Sequence, residues 1–289
     1  MKAPAFDYAK PKSLTEAFDL MERHGDEAKL LAGGQTLMAT LNMRLSQPSL
    51  LIDITGLAGT SGLSGIREQG GVVSIGALTR HREIERSGVI AGQVPLLSQA
   101  VPHIAHVAIR NSGTFGGSIA FADPAAEYPV CAVALDAQIV VASKSGERRV
   151  PARTFFKALY ETDLKPGEMV VRGEFPVQGP GYRSVFMELA RRHGAYAIVG
   201  VAIHAKVAKG MLSDLSLAYL GMGPIPMLAR QAMAALEGKA YSAETVAVAQ
   251  QALAGELDPT GDLYSTAATK LHLARVLTGR ALAALAQGN

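Results

Sequence analysis

Cysteine is almost missing from this chain: Cys131 is the only one in 289 residues. A lone thiol excludes a disulfide framework, and it excludes an iron–sulfur cluster or a thiolate zinc site held by this chain alone. Cys131 lies in the apolar run "YPVCAVAL", where a buried structural thiol is expected rather than a reactive one. Basic clusters are lacking too. The net charge is +3 and the 28 Lys and Arg are scattered, so neither nucleic acid nor a membrane surface is an expected main partner. No stretch is a continuous apolar span of ~20 residues, and the N-terminal "MKAPAFDYAKPKS" has no apolar h-region. The expectation is a cytoplasmic protein with no membrane span.

The usual catalytic fingerprints are also absent. G-x-G-x-x-G, G-x-x-x-x-G-K-[ST] and G-x-S-x-G do not occur, which leaves Rossmann, P-loop and nucleophile-elbow readings without support. Of seven histidines, His103 and His106 are spaced to share a helical face, but no third ligand stands near them, so no metal site is expected. The chain offers little acid–base or nucleophile machinery. That suits a protein whose bound cofactor performs the chemistry.

What is present is an ordinary globular composition, 48% hydrophobic and 18% charged. The length suggests two domains at about 100–200 residues each. Ser13-Leu14-Thr15-Glu16 predicts a capping box, with Leu14, Ala17, Phe18 and Met21 on one apolar helical face and Gly25 as its stop. "AKLLA" at 28–32 and "SLLIDIT" at 49–55 read as strands, with a helix between them carrying Leu37, Met38, Leu41, Met43 and Leu45. Gly70-Gly71 signals a hairpin. Helices are expected around 79–87 and 95–105, and another from Pro124 with Asp123 as its N-cap. Strands at 137–143 and 169–177 precede "QGPGYRS" (178–184), the best candidate boundary. Beyond it, two long strands join near Lys209-Gly210, and an Ala/Leu-rich helical segment closes the chain. Strands followed by helices argue for a small α+β domain there.

Two glycine pairs carry the functional signal. In "LLAGGQTLMATLNMRL" (30–45) an apolar strand breaks on Gly33-Gly34 and restarts with helical spacing. Glycine permits close approaches that a Cβ forbids. Free N–H groups at such a turn suit an anionic phosphate, with Gln35 and Thr36 as further donors. A tight strand–helix turn without a ligand would read the same way. The second motif, "GTFGGSIAFADPAAE" (113–127), offers Thr114, Gly116, Gly117 and Ser118. It then places Asp123 and Glu127 four residues apart, on one face if that turn is helical. Carboxylates beside a phosphate would repel it, so sugar hydroxyls are their natural donors; a capping aspartate and a solvated glutamate are the plain alternative. Two glycine turns on separate segments suggest a dinucleotide gripped from two sides.

At these motifs the chain resembles a known family. "AGGQTL" (32–37) and "TFGGSIAFADPAAE" (114–127) are similar to the paired flavin signatures of the FAD-carrying medium subunit of molybdenum hydroxylases, the carbon monoxide dehydrogenase and xanthine dehydrogenase group. "PAFDYAKPKSLTEAFDLM", "IGALTRHREIERS" and "RRHGAYAIVGVA" extend the resemblance along the chain. It implies an α+β architecture: a vanillyl-alcohol-oxidase-type FAD-binding domain over 1–177, divided into about 1–55 and 56–177, then a small domain over 178–289. The small domain would pack a three-stranded antiparallel sheet on helices. Ala32, Gly33, Gly34, Gln35, Thr36 and Leu37 would wrap the FAD pyrophosphate. Thr114, Gly116, Gly117 and Ser118 would form the second grip, Asp123 and Glu127 would take ribityl or ribose hydroxyls, and Tyr196 would lie near the isoalloxazine ring.

The resemblance further implies an oxidoreductase complex. Molybdopterin would sit on a large subunit and two [2Fe–2S] clusters on a small one, assembled as a dimer of heterotrimers, with this chain passing electrons from FAD to an external acceptor. Two positions depart from the family pattern, Ala195 where an aspartate is frequent and Met187 where a lysine is common, and both are expected on the flavin side. The single cysteine excludes the branch whose homologous subunit carries an extra iron–sulfur cluster. Rival readings are a self-contained flavin oxidoreductase acting directly on a small molecule, and a non-catalytic nucleotide-binding module.

Overall fold

The computed structural model describes residues 2–60 and 62–288. Its first part is a three-stranded parallel sheet built by two crossovers. Strand β1 (Asp7–Ala9) leads through helix α1 (Leu14–His24) to β2 (Ala28–Leu31), and helix α2 (Leu37–Asn42) leads on to β3 (Leu50–Asp53), in sheet order β1-β3-β2. Ser13 caps α1 by accepting the N–H of Glu16, while the Glu16 carboxylate takes the N–H of Lys12, one residue outside the expected box. Ala17 and Phe18 bury against Leu50, Ile52 and Ile54. The helix after the glycines is shorter than its spacing predicts. Arg44 adopts a left-handed conformation (φ +58°) and closes α2 after six residues, leaving Met43 and Leu45 exposed.

A five-stranded antiparallel sheet follows. β4 (Ile66–Gln69) and β5 (Val72–Gly76) form the expected hairpin on Gly70 and Gly71, both at positive φ as a type I′ turn requires. The chain then makes six short helices: α3 (His81–Glu85), α4 (Gly88–Gln93), α5 (Pro95–Ala100), α6 (Val107–Arg110), α7 (Phe115–Phe121) and α8 (Glu127–Ala134). It returns through β6 (Gln138–Ser143), β7 (Gly146–Pro151), α9 (Ala152–Phe155) and the small ladder β8 (Phe156–Ala158) with β9 (Glu161–Thr162), to β10 (Met169–Pro176). The sheet order is β4-β5-β10-β6-β7. Both faces of β6 are buried: Ile139 and Val141 meet the helices, while Val140 and Ala142 meet the core of the parallel sheet.

The last part is a meander of three long strands, β11 (Tyr182–Ala190), β12 (Ala197–Ala208) and β13 (Met211–Leu220), turning on Lys209 and Gly210 as expected. Two-residue strands β14 (Met227–Leu228) and β15 (Lys239–Ala240) extend it, around helix α10 (Arg230–Leu236). Helices α11 (Ala243–Ala252) and α12 (Ala267–Gln287) complete the cover of one face with a core of Val185, Val201, Leu217, Leu236, Leu277 and Leu282. The other face turns to α5 and α8, and Phe186, Ala202, Ala218 and Leu220 join the core of the preceding part. Strand alternation therefore decides direction in β11. Val185 and Met187 face the C-terminal helices, whereas Ser184, Phe186 and Glu188 face α5 and the turn that follows it. Met187 is thus turned away from the glycine turns, contrary to the sequence expectation. Among the described residues no helix is long and apolar enough to cross a membrane.

Candidate cofactor site

The two glycine motifs meet. A Cβ on Gly33 would stand 2.3 Å from the carbonyl oxygen of Ser112 and 2.8 Å from Cα of Gly113, so only glycine lets the 33–34 turn press against the approach to the second motif. Gly34 has φ +69°, and the Gln35 side-chain amide donates to the Gly33 carbonyl at 2.9 Å. The N–H groups of Gly34, Gln35, Thr36 and Leu37 reach no protein acceptor among the described residues. They form a compact set of unpaired donors beside half-buried Ala32. Because α2 is only six residues long, the attraction for an anion comes from these N–H groups more than from a helix dipole.

In the second turn, expected to be rich in donors, most backbone N–H groups are already paired within the protein. The N–H of Phe115 donates to the Thr79 carbonyl at 2.9 Å and that of Gly116 to the Ala77 carbonyl at 2.8 Å, which ties α7 to the end of β5. The N–H of Gly117 donates to the Thr114 hydroxyl at 3.3 Å, the N-cap of α7. Gly116 is glycine for packing, since its Cβ would lie 2.4 Å from that of Ala77. An exposed Gly117 and the Ser118 hydroxyl, which has no protein partner among the described residues, are what remain open.

Behind this turn, Arg110 fastens the loop. It makes paired bonds to Glu85 at 3.0 and 3.1 Å and donates to the carbonyls of Pro102, Ile104 and Ala105. Buried His81 packs edge-on to Tyr128; burial, helped by the Arg110 charge, pushes its imidazole down to about 4, so it stays neutral. Cys131 is buried, and burial pushes its thiol well above the ordinary range, as expected for a structural residue.

The acidic pair departs from the helical expectation. Asp123 does not cap a helix at Pro124: its Oδ1 accepts the N–H of Ala125 at 2.8 Å in a local turn, and α8 begins only at Glu127. The Asp123 charge still acts on Glu127. Burial raises the Asp123 carboxyl, and burial followed by the charges of Glu188 and Asp123 raises that of Glu127 to about 8. Tyr196, 75% exposed, lies close enough to feel both acids. Half-buried Ala195 precedes it in the β11–β12 connection.

Two members of this group, Glu188 and Tyr160, carry no signal in the sequence, and a third, His103, was marked there only for its spacing from His106. Glu188 comes from β11 with a side chain only 5% exposed, its Oε1 3.3 Å from Nδ1 of His103 and its Oε2 buried without a partner. His103 belongs with that carboxylate rather than with His106, which packs under Gly194. No cluster of three metal-ligating side chains exists among the described residues. Tyr160, at φ +59° in the β8–β9 turn, packs its ring at a tilt against Phe121, centroids 5.0 Å apart, near Asp123 and Tyr196. Elsewhere, an open depression of about 620 Å³ between β4, β5, β7 and β10 is lined by Arg67, Arg149 and Arg172, but Glu147 and Glu174 already engage the last two.

Adjacent glycine turns and unpaired N–H groups, with half-buried carboxyls beside exposed tyrosines, form a set of partners for an anionic dinucleotide that also carries hydroxyls. Known families agree with that chemistry. Residues 4–178 match the FAD binding domain in molybdopterin dehydrogenase, and residues 184–285 match the CO dehydrogenase flavoprotein C-terminal domain. The chain belongs to the FAD-binding medium subunits of the molybdenum hydroxylases. It is 39% identical to the 6-hydroxypseudooxynicotine dehydrogenase complex subunit alpha of Paenarthrobacter nicotinovorans, covering 98% of this chain and 95% of that one. It is 34% identical to the carbon monoxide dehydrogenase medium chain of Hydrogenophaga pseudoflava, covering 98% and 97%. Among solved structures, carbon monoxide dehydrogenase from Hydrogenophaga pseudoflava superposes with a TM-score of 0.95 at 36% identity, over 99% of this chain and 98% of that one. Quinoline 2-oxidoreductase from Pseudomonas putida 86 superposes with a TM-score of 0.93 at 37% identity, over 100% and 99%. The medium subunit is therefore an oxidoreductase component.

Proposed function

We propose that this chain binds FAD across the two glycine turns and carries electrons within a heterotrimeric molybdenum hydroxylase. The supporting observation is the interlocking of Gly33 with Ser112 and Gly113 beside the unpaired N–H groups of 34–37. In this reading Ala32 to Leu37 hold the pyrophosphate. Thr114 to Ser118 line its other side through the Gly117 surface and the Ser118 hydroxyl, while Gly116 serves packing. Asp123 and Glu127 receive ribityl or ribose hydroxyls, and Tyr196 borders the isoalloxazine. Bound FAD supplies one- and two-electron chemistry; the protein's part is to bind it, orient it and limit its exposure to water.

Electrons reach this subunit from [2Fe–2S] clusters on a small partner subunit, after oxidation of substrate at the molybdopterin of a large one, and leave to an external acceptor. The assembly is a dimer of heterotrimers in the cytoplasm. Residues 1–177, divided near residue 56, form the cofactor-binding domain, and residues 178–289 form the smaller one. Purification from the native host tests the whole reading by absorption spectrum, metal analysis and subunit composition. Flavin bands with molybdenum, iron and two further polypeptides are expected. A solitary flavoprotein reduced directly by a small substrate would replace this reading with a self-contained oxidoreductase.

A further inference from the structure

The Tyr196 ring is 75% exposed, so burial does not decide where it stands; the backbone beneath it does. Residues 191–196 form the loop between β11 and β12, closed at its base by the cross-strand pair Ala190 and Ala197. Arg191 and Tyr196 are the first and last residues of that loop, each next to the closing pair. The middle of the loop rests on the chain after α5. Gly194 has φ +77°, and a Cβ there would stand 2.5 Å from the His106 ring and 2.9 Å from the Ala105 carbonyl oxygen. That carbonyl in turn accepts from Arg110 at 3.1 Å.

The start of the loop is held by the C-terminal part. The Arg191 guanidinium carbon lies 3.9 Å from the centroid of the Tyr264 ring, a cation–π contact. Tyr264 is itself 70% exposed and sits between α11 and α12, in a stretch without helix or strand. Asp262 knits that stretch together. Its Oδ1 accepts the N–H groups of Tyr264 and Ser265 at 2.8 and 2.9 Å, and its Oδ2 pairs with Lys270 of α12 at 2.8 Å. Lys270 also donates to the Thr260 carbonyl at 2.9 Å. Tyr264 therefore offers Arg191 a ring on an ordered backbone.

We propose that Tyr264 is a positioning residue: through Arg191 it fixes the 191–196 loop, and with it the Tyr196 ring at the flavin end of the cofactor site. The proposal rests on the placement of Tyr196 beside bound FAD. A loop anchored only at Gly194 leaves both sides of its exposed base free to open locally. Ordering a loop before its ligand arrives removes that cost from binding. The contact with Tyr264 does this from a distance, and neither Tyr264 nor Arg191 has to touch the cofactor.

The test is FAD binding to the FAD-depleted complex by equilibrium dialysis, for wild type, Tyr264→Phe, Tyr264→Leu, Tyr196→Leu and the Tyr196→Leu/Tyr264→Leu double variant. Tyr264→Phe keeps an aromatic face and should bind as wild type does. Tyr264→Leu should weaken FAD by about 2–5-fold, the worth of one exposed cation–π contact. The double variant should bind no more weakly than Tyr196→Leu alone, because Tyr264 acts only through Tyr196. Trypsin reads the loop independently, since Arg191 and Arg192 are points of cleavage. Without FAD, cutting there should be faster in Tyr264→Leu than in wild type or Tyr264→Phe. The proposal is overturned if Tyr264→Leu binds FAD as wild type does, if Tyr264→Phe is as weak as Tyr264→Leu, or if the two leucine effects multiply in the double variant. Wild-type affinity in Tyr196→Leu would overturn it by another route: Tyr196 would leave the cofactor site, while faster cutting in Tyr264→Leu still recorded the contact.

Discussion

Replacing Gly33 with alanine adds one methyl carbon where the two glycine turns touch. It would lie 2.3 Å from the Ser112 carbonyl oxygen and 2.8 Å from Cα of Gly113. Ordinary contact begins near 3.4 Å, so the opposing segment must retreat by about 1 Å. That segment is backbone, held in place by the bond from the Gly113 N–H to the Ile109 carbonyl and by the anchored Arg110, and it has no flexible tip to swing aside. Overpacking of this kind costs about 1–3 kcal/mol. For a chain of this size that is a fall in Tm of about 2–12 °C at about 2–4 °C per kcal/mol. Calorimetry on the FAD-free protein reads the fall, and flavin absorbance per chain reads the consequence for binding. Displacing Ser112 and Gly113 moves the start of the second turn, so flavin content should drop with stability. Gly92→Ala is the control: it lies in α4 with nothing within 4 Å of its Cβ and should hold or gain up to about 1 kcal/mol. A Gly33→Ala protein with unchanged Tm and a full flavin complement would refute both the packing argument and the site.

Other perturbations separate the remaining contributions. Glu127→Ala should weaken FAD by about 1–3 kcal/mol, the scale of a lost buried hydrogen bond, measured by equilibrium dialysis; unchanged affinity would remove Glu127 from the site. Arg110→Leu should destabilise by about 3–5 kcal/mol, because it strands the Glu85 carboxylate and frees three carbonyls; denaturant titration measures it, and a loss below about 1 kcal/mol would contradict the anchoring role. Asp53 makes a prediction about acid pH. Burial raises its carboxyl, but hydrogen bonds from Thr55 and Tyr8, with the Lys10 charge, outweigh burial and hold it below 3.8. A lowered folded value means its stabilisation is complete above the unfolded pKa and is lost as pH falls through the folded one. Asp53→Asn should therefore lower Tm at neutral pH and flatten its decline in acid; parallel curves would exclude Asp53 as a contributor.

Much of the fold was legible because local signals agreed with tertiary demands. Ser13 caps its helix, Gly70-Gly71 and Lys209-Gly210 make their hairpins, and β2, β3, β6, β10, β12 and β13 were found from their apolar runs, whereas β11 was not. The misses share a cause, which is that periodicity reports what could continue and not what interrupts it. Leu45 keeps the helical spacing of Leu37 and Leu41, yet a left-handed Arg44 ends α2 first. Pro124 favours a helix start, yet Asp123 takes the N–H of Ala125 and delays α8 until Glu127. The region between β5 and β6 holds six short helices where pattern suggested fewer, since only α8 is long enough to span two full turns of periodicity.

The site was legible as motifs but not as a constellation. Gly33 and Gly116 were both marked by sequence, and both are glycine because backbone or a methyl group would otherwise collide, at Ser112 and at Ala77. A doublet signals a close approach without saying whether a ligand or the protein itself approaches. The same ambiguity hid the fate of the second turn's donors, which depend on Ala77 and Thr79 more than thirty residues earlier. Glu188 was invisible for a related reason. In β11 one residue of register separates the face toward the helices of the last part from the face toward α5, so naming Met187 instead of Glu188 inverts the side chain's direction. A strand residue's chemistry becomes readable only when its neighbours' burial fixes that parity. Here Val185 in one core and Phe186 in the other fix it, and they leave Glu188 on the side of Phe186 and His103.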